Sequence, residues 1–238
     1  MQPSHKRVKM FSSFAMLLFT CALAQQDMIT EPKSGRTFPA KVSFTYEGKA
    51  YNLMATGAVF FNKEAAKTAR LAAKAKTDTV SSTKAAAKAN ASPKAEAPKV
   101  ILAHYMEQAK PDSGQSIYDL VLEKGLAKQM TITVVQVQPA DQLQKGYKRF
   151  FKKTLPESEF LALEEAIDEF LSCFAADLKA KESYFLRILP DGKLVVGFPN
   201  QAEKTIQNGE LGELIWRIWF SSAAGAERAS LVSRLSVN

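Results

Sequence analysis

Histidine and cysteine are nearly missing from this chain: 238 residues hold two of each. His5 and Cys21 fall in the first two dozen positions, which leaves only His104 and Cys173 for everything after them. A lone thiol excludes an intramolecular disulfide there. A lone imidazole leaves zinc sites of Cys/His type, and Cys–His or Ser–His catalytic pairs, almost nothing to draw on. Glu164, Glu165, Asp168 and Glu169 cluster on one helical stretch, but with no histidine or oxygen-rich loop beside them they read as a solvated face. Neither a metal nor a cofactor is therefore expected. Cys173 sits among Phe170, Leu171 and Phe174 and reads as a small buried apolar residue. Long apolar runs are scarce as well. The longest, residues 11–23, stops short of the ~20 residues that span a bilayer.

Charge is present but unevenly placed. The formal net charge of +8 looks like a footprint for nucleic acid. Residues 1–24 carry three bases and no acid, and residues 62–99 carry nine bases and three acids. The other 20 bases meet 21 acids, so the part able to form a core is close to neutral. A groove that tracks phosphates needs its Lys and Arg on the folded surface, so no nucleic-acid partner is expected.

The first 24 residues have the anatomy of a secretory signal. Lys6, Arg7 and Lys9 precede the apolar run, and Ala22-Leu23-Ala24 supplies small residues before a cut near Ala24-Gln25. The reading is a signal peptide over 1–24, an exported protein that is periplasmic or secreted, and an N-terminal mature segment over 25–36.

From residue 37 the patterns are those of a folded domain. Val42, Phe44 and Tyr46 alternate with polar residues, Glu47-Gly48-Lys49 makes a turn, and Tyr51 and Leu53 resume the alternation, predicting a β-hairpin over 37–57. Residues 62–99 are rich in alanine and lysine, with Leu71 and Val80 as their only large aliphatics, and read as a solvated insertion. Beyond it the patterns predict a strand over 100–106, a helix over 117–126 and a strand over 130–137. A helix capped by Asp141 follows, then one continuous helix after Pro156. Pro190-Asp191-Gly192-Lys193 joins two short strands, Thr205 and Ile206 mark another, and helices over 211–220 and 226–235 close the chain. Strands first, then helices set between further antiparallel strands, indicate an α+β domain.

Several of these pieces, in this order, resemble the exported chalcone isomerase-like proteins of bacteria. They are Thr37-Phe38-Pro39-Ala40-Lys41-Val42, Gly48-Lys49-Ala50-Tyr51-Asn52-Leu53, Ala55-Thr56-Gly57-Ala58-Val59, Lys99-Val100-Ile101-Leu102-Ala103, Leu189-Pro190-Asp191-Gly192 and Ile215-Trp216-Arg217-Ile218-Trp219-Phe220. The resemblance covers roughly residues 37–220 and implies a domain over 37–238, interrupted by 62–99. Its fold would be an open-faced β-sandwich: a large curved antiparallel sheet, helices packed on one face, and a cleft between them. It also implies a ligand-facing arginine and a neighbouring hydroxyl. Phe60 and Ile101 stand at those two positions. A neutral ring cannot offset a developing oxyanion, usually the largest catalytic contribution, so the family's cyclisation of chalcones is not expected.

The candidate ligand-binding residues are Phe60, Ile101, Tyr105, Tyr147 and Arg149, around a small amphipathic or apolar molecule such as a fatty acid or phenolic. His104 and Tyr105 are the candidates for catalysis, set against a packed, hydrogen-bonded role for His104. Ordinary packing for Tyr147 and solvation for Arg149 stand beside the functional readings. Two alternatives stay open: an isomerase or intramolecular lyase with rearranged site residues, and a protein whose residues 62–99 contact an anionic envelope surface by charge.

Overall fold

The computed structural model describes residues 27–62, 99–220 and 227–235, so residues 1–24, read above as a signal segment, and nearly all of the Ala/Lys-rich stretch lie outside the described residues. Two short strands come first, β1 (Met28–Thr30) and β2 (Thr37–Pro39), paired antiparallel. Seven more form one antiparallel sheet in sequence order: β3 (Lys41–Tyr46), β4 (Lys49–Asn62), β5 (Lys99–Met106), β6 (Lys128–Val134), β7 (Ser183–Ile188), β8 (Leu194–Gly197) and β9 (Lys204–Ile206). Between and after them lie α1 (Ile117–Leu122), α2 (Ala140–Thr154), α3 (Glu157–Ala162), α4 (Glu164–Ser172), α5 (Gly209–Phe220) and α6 (Glu227–Leu231). Among the described residues no helix is long and apolar enough to cross a membrane. This is the α+β arrangement expected, a curled antiparallel sheet with helices on one face.

Several boundaries differ from the sequence reading. Asn62 pairs with Lys99, so both belong to the sheet rather than to the insertion. The folded part begins ahead of residue 37, because β1 pairs with β2. Asp141 is not a cap: α2 starts one residue earlier, and Asp177 accepts a hydrogen bond from the Ala140 amide at 2.9 Å. The expected single helix after Pro156 breaks at Leu163 (φ −103°, ψ 3°), and the bend lets Phe160, Leu163, Ile167 and Phe170 all bury themselves. Strand β6 ends at Val134, leaving Val135 and Val137 exposed.

The sheet has two apolar faces. Val59, Leu102, Met106, Met130, Ile132, Val134, Leu186 and Val196 point outward and meet Phe151, Phe170, Phe174, Trp216 and Phe220 of the helices. Tyr51, Leu53, Ala55, Ile101, Ala103 and Tyr105 point the other way, together with Ile29, Phe38 and Ala40 of the first two strands. Alternation of side chains along each strand produces this division. A flat sheet would hold β3 and β7 ~19 Å apart, four spacings of ~4.8 Å. Yet the guanidinium of Arg187 on β7 lies 4.2 Å from the Phe44 ring centre on β3, and the Tyr46 hydroxyl is 2.7 Å from Asp191. The sheet therefore curls towards the face that carries Phe44 and Arg187. That face is the inside.

Candidate functional site

The residues singled out in the sequence do not line one cleft. Phe60 and Ile101 are cross-strand partners, as are Ala55 and Tyr105, and Phe60, Ile101 and Tyr105 all lie on the inner face. Tyr147 belongs to α2, on the outer, helix-covered side. Its hydroxyl is 2.8 Å from that of Tyr184, and its ring packs against Phe151, Phe170 and Phe174. Burial pushes the Tyr147 hydroxyl up to about 12, with the Tyr184 bond acting the other way. Arg149 is exposed on α2.

His104 points away from Tyr105, as strand alternation requires, and is fully buried among the helices. The Trp216 indole N–H donates to its Nε2 at 3.2 Å, so that nitrogen is an acceptor. Nδ1 must then carry the proton, and it faces the Thr56 hydroxyl at 2.6 Å. That hydroxyl in turn donates to the Leu231 carbonyl at 2.6 Å. Donors and acceptors match along the chain for one neutral tautomer. Burial, and then the cation of Lys128, depress His104 to about 3. An imidazole with both nitrogens spent and no access to solvent has no capacity for acid–base work near neutral pH. Lys128 is itself buried, its ammonium bonded to the Glu123 carbonyl. Burial lowers it to about 8 against the opposing pull of Glu123 and Glu213.

Thr56 reaches this position because β4 carries an extra residue: Ala55 pairs with Tyr105 but Gly57, not Thr56, pairs with His104. The bulge also receives the chain's last described residues. The Arg234 amide donates to the Thr56 carbonyl at 2.8 Å. Gly57 lies so close under α6 that an added Cβ would stand 2.0 Å from the Ser230 carbonyl oxygen, so only glycine fits.

The inner face is where polar groups meet open apolar surface. Val42, Phe44, Tyr46, Ala58 and Phe60 are only partly buried there. Tyr105 is 1% exposed, its hydroxyl makes no hydrogen bond among the described residues, and burial raises its pKa well above the ordinary phenol value. Arg187 stands two strands along the same cross-strand row, opposite Gln129, which is opposite Tyr105. Its guanidinium is sandwiched between Phe44 (4.2 Å) and Phe185 (4.5 Å). Its Nε donates to Gln129 at 2.9 Å and its Nη1 approaches Glu203 at 3.4 Å. Sequence reading passed over Arg187, although a lone charge inside the apolar alternation of Tyr184, Leu186 and Ile188 was the signal available. Two open surface depressions, of about 350 and 540 Å³, lie between α2 and α4 and beside β2 and β3; neither is lined by Phe60, Ile101, His104 or Tyr105.

The comparisons agree with this architecture. Residues 100–228 match the family model described as chalcone isomerase-like. No curated protein matches the chain. Among solved structures, the chain is similar to a fatty-acid binding protein of Arabidopsis thaliana, with a TM-score of 0.57 and 14% sequence identity. That likeness covers 89% of this chain and 98% of the other, and at this identity it speaks for the fold. With more than half of its 238 residues inside the family model and the curled sheet and helices in place, the chain belongs to the chalcone isomerase-like family.

Proposed function

We propose that this protein is an exported, non-catalytic member of its family that binds a small amphipathic ligand, a fatty acid or phenolic, on the inner face of its curled sheet. The observation that carries the reading is that face itself. Half-buried Val42, Phe44, Tyr46, Ala58 and Phe60 share that face with the Tyr105 hydroxyl and with the Arg187 guanidinium against Phe44, an apolar bed with a few polar groups of the kind that fixes small ligands. Phe60, Ile101 and Tyr105 form its floor near β4 and β5. Tyr147 and Arg149 have no part in it. The fatty-acid binding of the Arabidopsis relative points the same way. Absence of catalysis rests on Phe60, which offers no charge to an oxyanion, and on His104, whose two nitrogens are spent on Thr56 and Trp216. Native mass spectrometry of the purified protein, followed by organic extraction, is expected to find a bound apolar acid or phenol. A protein that stays empty after incubation with excess laurate refutes the reading. A hydroxylated chalcone is expected to cyclise at its uncatalysed rate in the protein's presence.

Export is part of the proposal, supported by the basic, apolar and small-residue order of positions 1–24. The mature protein recovered from its host should begin at Gln25. Contact with an anionic envelope surface through residues 62–99 is supported by their net +6. Their two end positions, Asn62 and Lys99, pair with each other in the sheet. Deletion of residues 63–98 should abolish salt-sensitive retention on anionic vesicles and leave the fold intact.

A further inference from the structure

Strand β3 is an open edge. It pairs with β4 on one side, and among the described residues no strand lies on the other, because the seven-stranded sheet begins with it. The Ala40 carbonyl accepts from the Ala55 amide at 2.8 Å, and the register runs on without a bulge, Val42 opposite Leu53, Phe44 opposite Tyr51 and Tyr46 opposite Lys49. Bonded positions alternate in an antiparallel pair, so these even-numbered residues turn their N–H and C=O groups to β4. Ser43 and Thr45 turn theirs the other way, and no backbone bond takes them up among the described residues. Open space adjoins that side. The depression of about 540 Å³ touches residues 39–43 in unbroken succession, along with Asp27 and Met54. Side chains of a strand alternate between its faces, so a hollow that meets five successive residues runs along the edge rather than over one face. The opposite edge, β9, is only three residues long. Short length, prolines, bulges and charges are the usual means of blunting an edge. The six residues of β3 use none of the first three and a single lysine, which leaves the strand competent to add another.

We propose that β3 pairs antiparallel with β3 of a second copy of this chain, about a two-fold axis through Phe44. The strand's own sequence selects a copy of itself. In this register Ser43 faces the partner's Thr45, and Thr45 faces the partner's Ser43, with their outward N–H and C=O groups in the arrangement where each pair exchanges both N–H···O bonds. On the inner face Phe44 meets the partner's Phe44 and Val42 meets the partner's Tyr46, all half-buried in the single chain and of the aromatic and β-branched kinds that stabilise neighbouring strands. The ends match in charge. Lys41 comes opposite the partner's Glu47, and the partner's Lys49 comes opposite Pro39, beside Asp27 in the depression. The hollow along residues 39–43 is thereby filled by the hairpin turn of the other copy, reciprocally on both sides, as a two-fold contact requires. This seam is independent of the ligand-binding reading and goes beyond it.

Sedimentation equilibrium of the full chain over a range of concentrations tests it. The wild type should sediment as a dimer that dissociates on dilution. Ser43→Pro removes an N–H that only the partner uses, so the single chain should keep its fold while the dimer weakens about 10- to 100-fold. Two further variants place like charges across the seam on the exposed outer face: Ser43→Glu with Thr45→Glu, and Ser43→Lys with Thr45→Lys. Each costs the single chain only the exposed bond from Ser43 to Asn52 and should weaken the dimer about 5- to 30-fold. An equimolar mixture of the two should regain it, because each glutamate then faces a lysine. A wild type that stays monomeric at every concentration overturns the proposal, even if it takes up some other extended peptide. A dimer that survives Ser43→Pro and both charge variants places the contact elsewhere and also overturns it. Where Ser43→Pro does not fold, the charge variants decide alone, and a mixture that remains monomeric refutes the seam.

Discussion

Acid should destabilise this protein in large part through one buried residue. His104 is fully buried and bonded as the neutral imidazole, with a folded pKa of about 3 against 6.5 when exposed. Below pH 6.5 the unfolded chain takes up a proton that the folded chain refuses. The sign follows: stability from this site is complete above pH 6.5 and is lost as pH falls towards 3. At about 1.36 kcal/mol per pH unit, two units of descent from 6.5 remove about 2.7 kcal/mol by pH 4.5. Any folded value well under 4.5 gives nearly the same figure, so the prediction does not lean on the depth of the shift. It is a large share of the ~5–15 kcal/mol that holds a domain together. The charged group facing the imidazole, Lys128, stays protonated over this range and adds repulsion rather than relief.

Carboxylates titrate over the same interval, so a single pH profile cannot isolate the histidine. The decisive quantity is the difference between wild type and His104→Gln in urea unfolding, followed by the fluorescence of Trp216 and Trp219. At pH 7.5 the wild type should be the more stable. The carboxylates are common to both proteins and cancel. By pH 4.5 the gap should have narrowed by about 2.7 kcal/mol. A gap that stays constant from pH 7.5 to 4.5 refutes the assignment of His104 as a buried neutral group and reopens a proton-handling role for it.

Three further outcomes follow from the packing. Gly57→Ala places a methyl group against the Ser230 and Leu231 backbone and should cost about 1–3 kcal/mol, the usual range for overpacking, with faster amide exchange over residues 227–235 than elsewhere. Tyr147→Phe removes one partner of a buried hydroxyl pair and should cost about 1–3 kcal/mol in thermal or urea unfolding, leaving ligand affinity untouched because α2 faces away from the inner surface. Tyr46→Phe removes the hydroxyl of a half-buried ring that joins β3 to Asp191 and Lys193 through a solvent-exposed bond, so its cost should stay below about 1 kcal/mol; a larger loss would mean that this link holds the curl closed.

The amino-acid pattern carried the hairpin faithfully. Alternation placed Val42, Phe44, Tyr46, Tyr51 and Leu53 on one face, and the structure keeps them there around a two-residue turn with positive φ at Glu47 and Gly48. Pro190-Asp191-Gly192-Lys193 was equally legible. Strand β1 was not, because three residues with a single buried side chain, Ile29, carry no period to read. The break at Leu163 escaped for a related reason: apolar spacing continues through it, and only packing demands the bend. Arg187 and His104 exchanged their apparent importance. A histidine attracts attention for its chemistry and an arginine for its charge, but what each does depends on which groups face it across strands far apart in the chain.

One inserted residue decides most of the site. Up to Ala55 the odd-numbered positions of β4 face inward: Tyr51, Leu53 and Ala55. The bulge at Thr56 shifts the count, and beyond it the even positions Ala58 and Phe60 face inward while Val59 and Phe61 meet the helices. Without the extra residue Phe60 would point at the helices and Val59 at the curl, since a one-residue slip exchanges the two faces of a strand. The bulge therefore does two things at once. It brings the Thr56 hydroxyl to His104 and the C-terminal segment, tying the imidazole into the core, and it turns Phe60 to the inner face beside Ile101. A neutralised imidazole on one face and an uncharged ring on the other are consequences of a single local irregularity. The inner face carries its buried positive charge elsewhere, on Arg187 of β7, two strands beyond the β5 partner of the bulge.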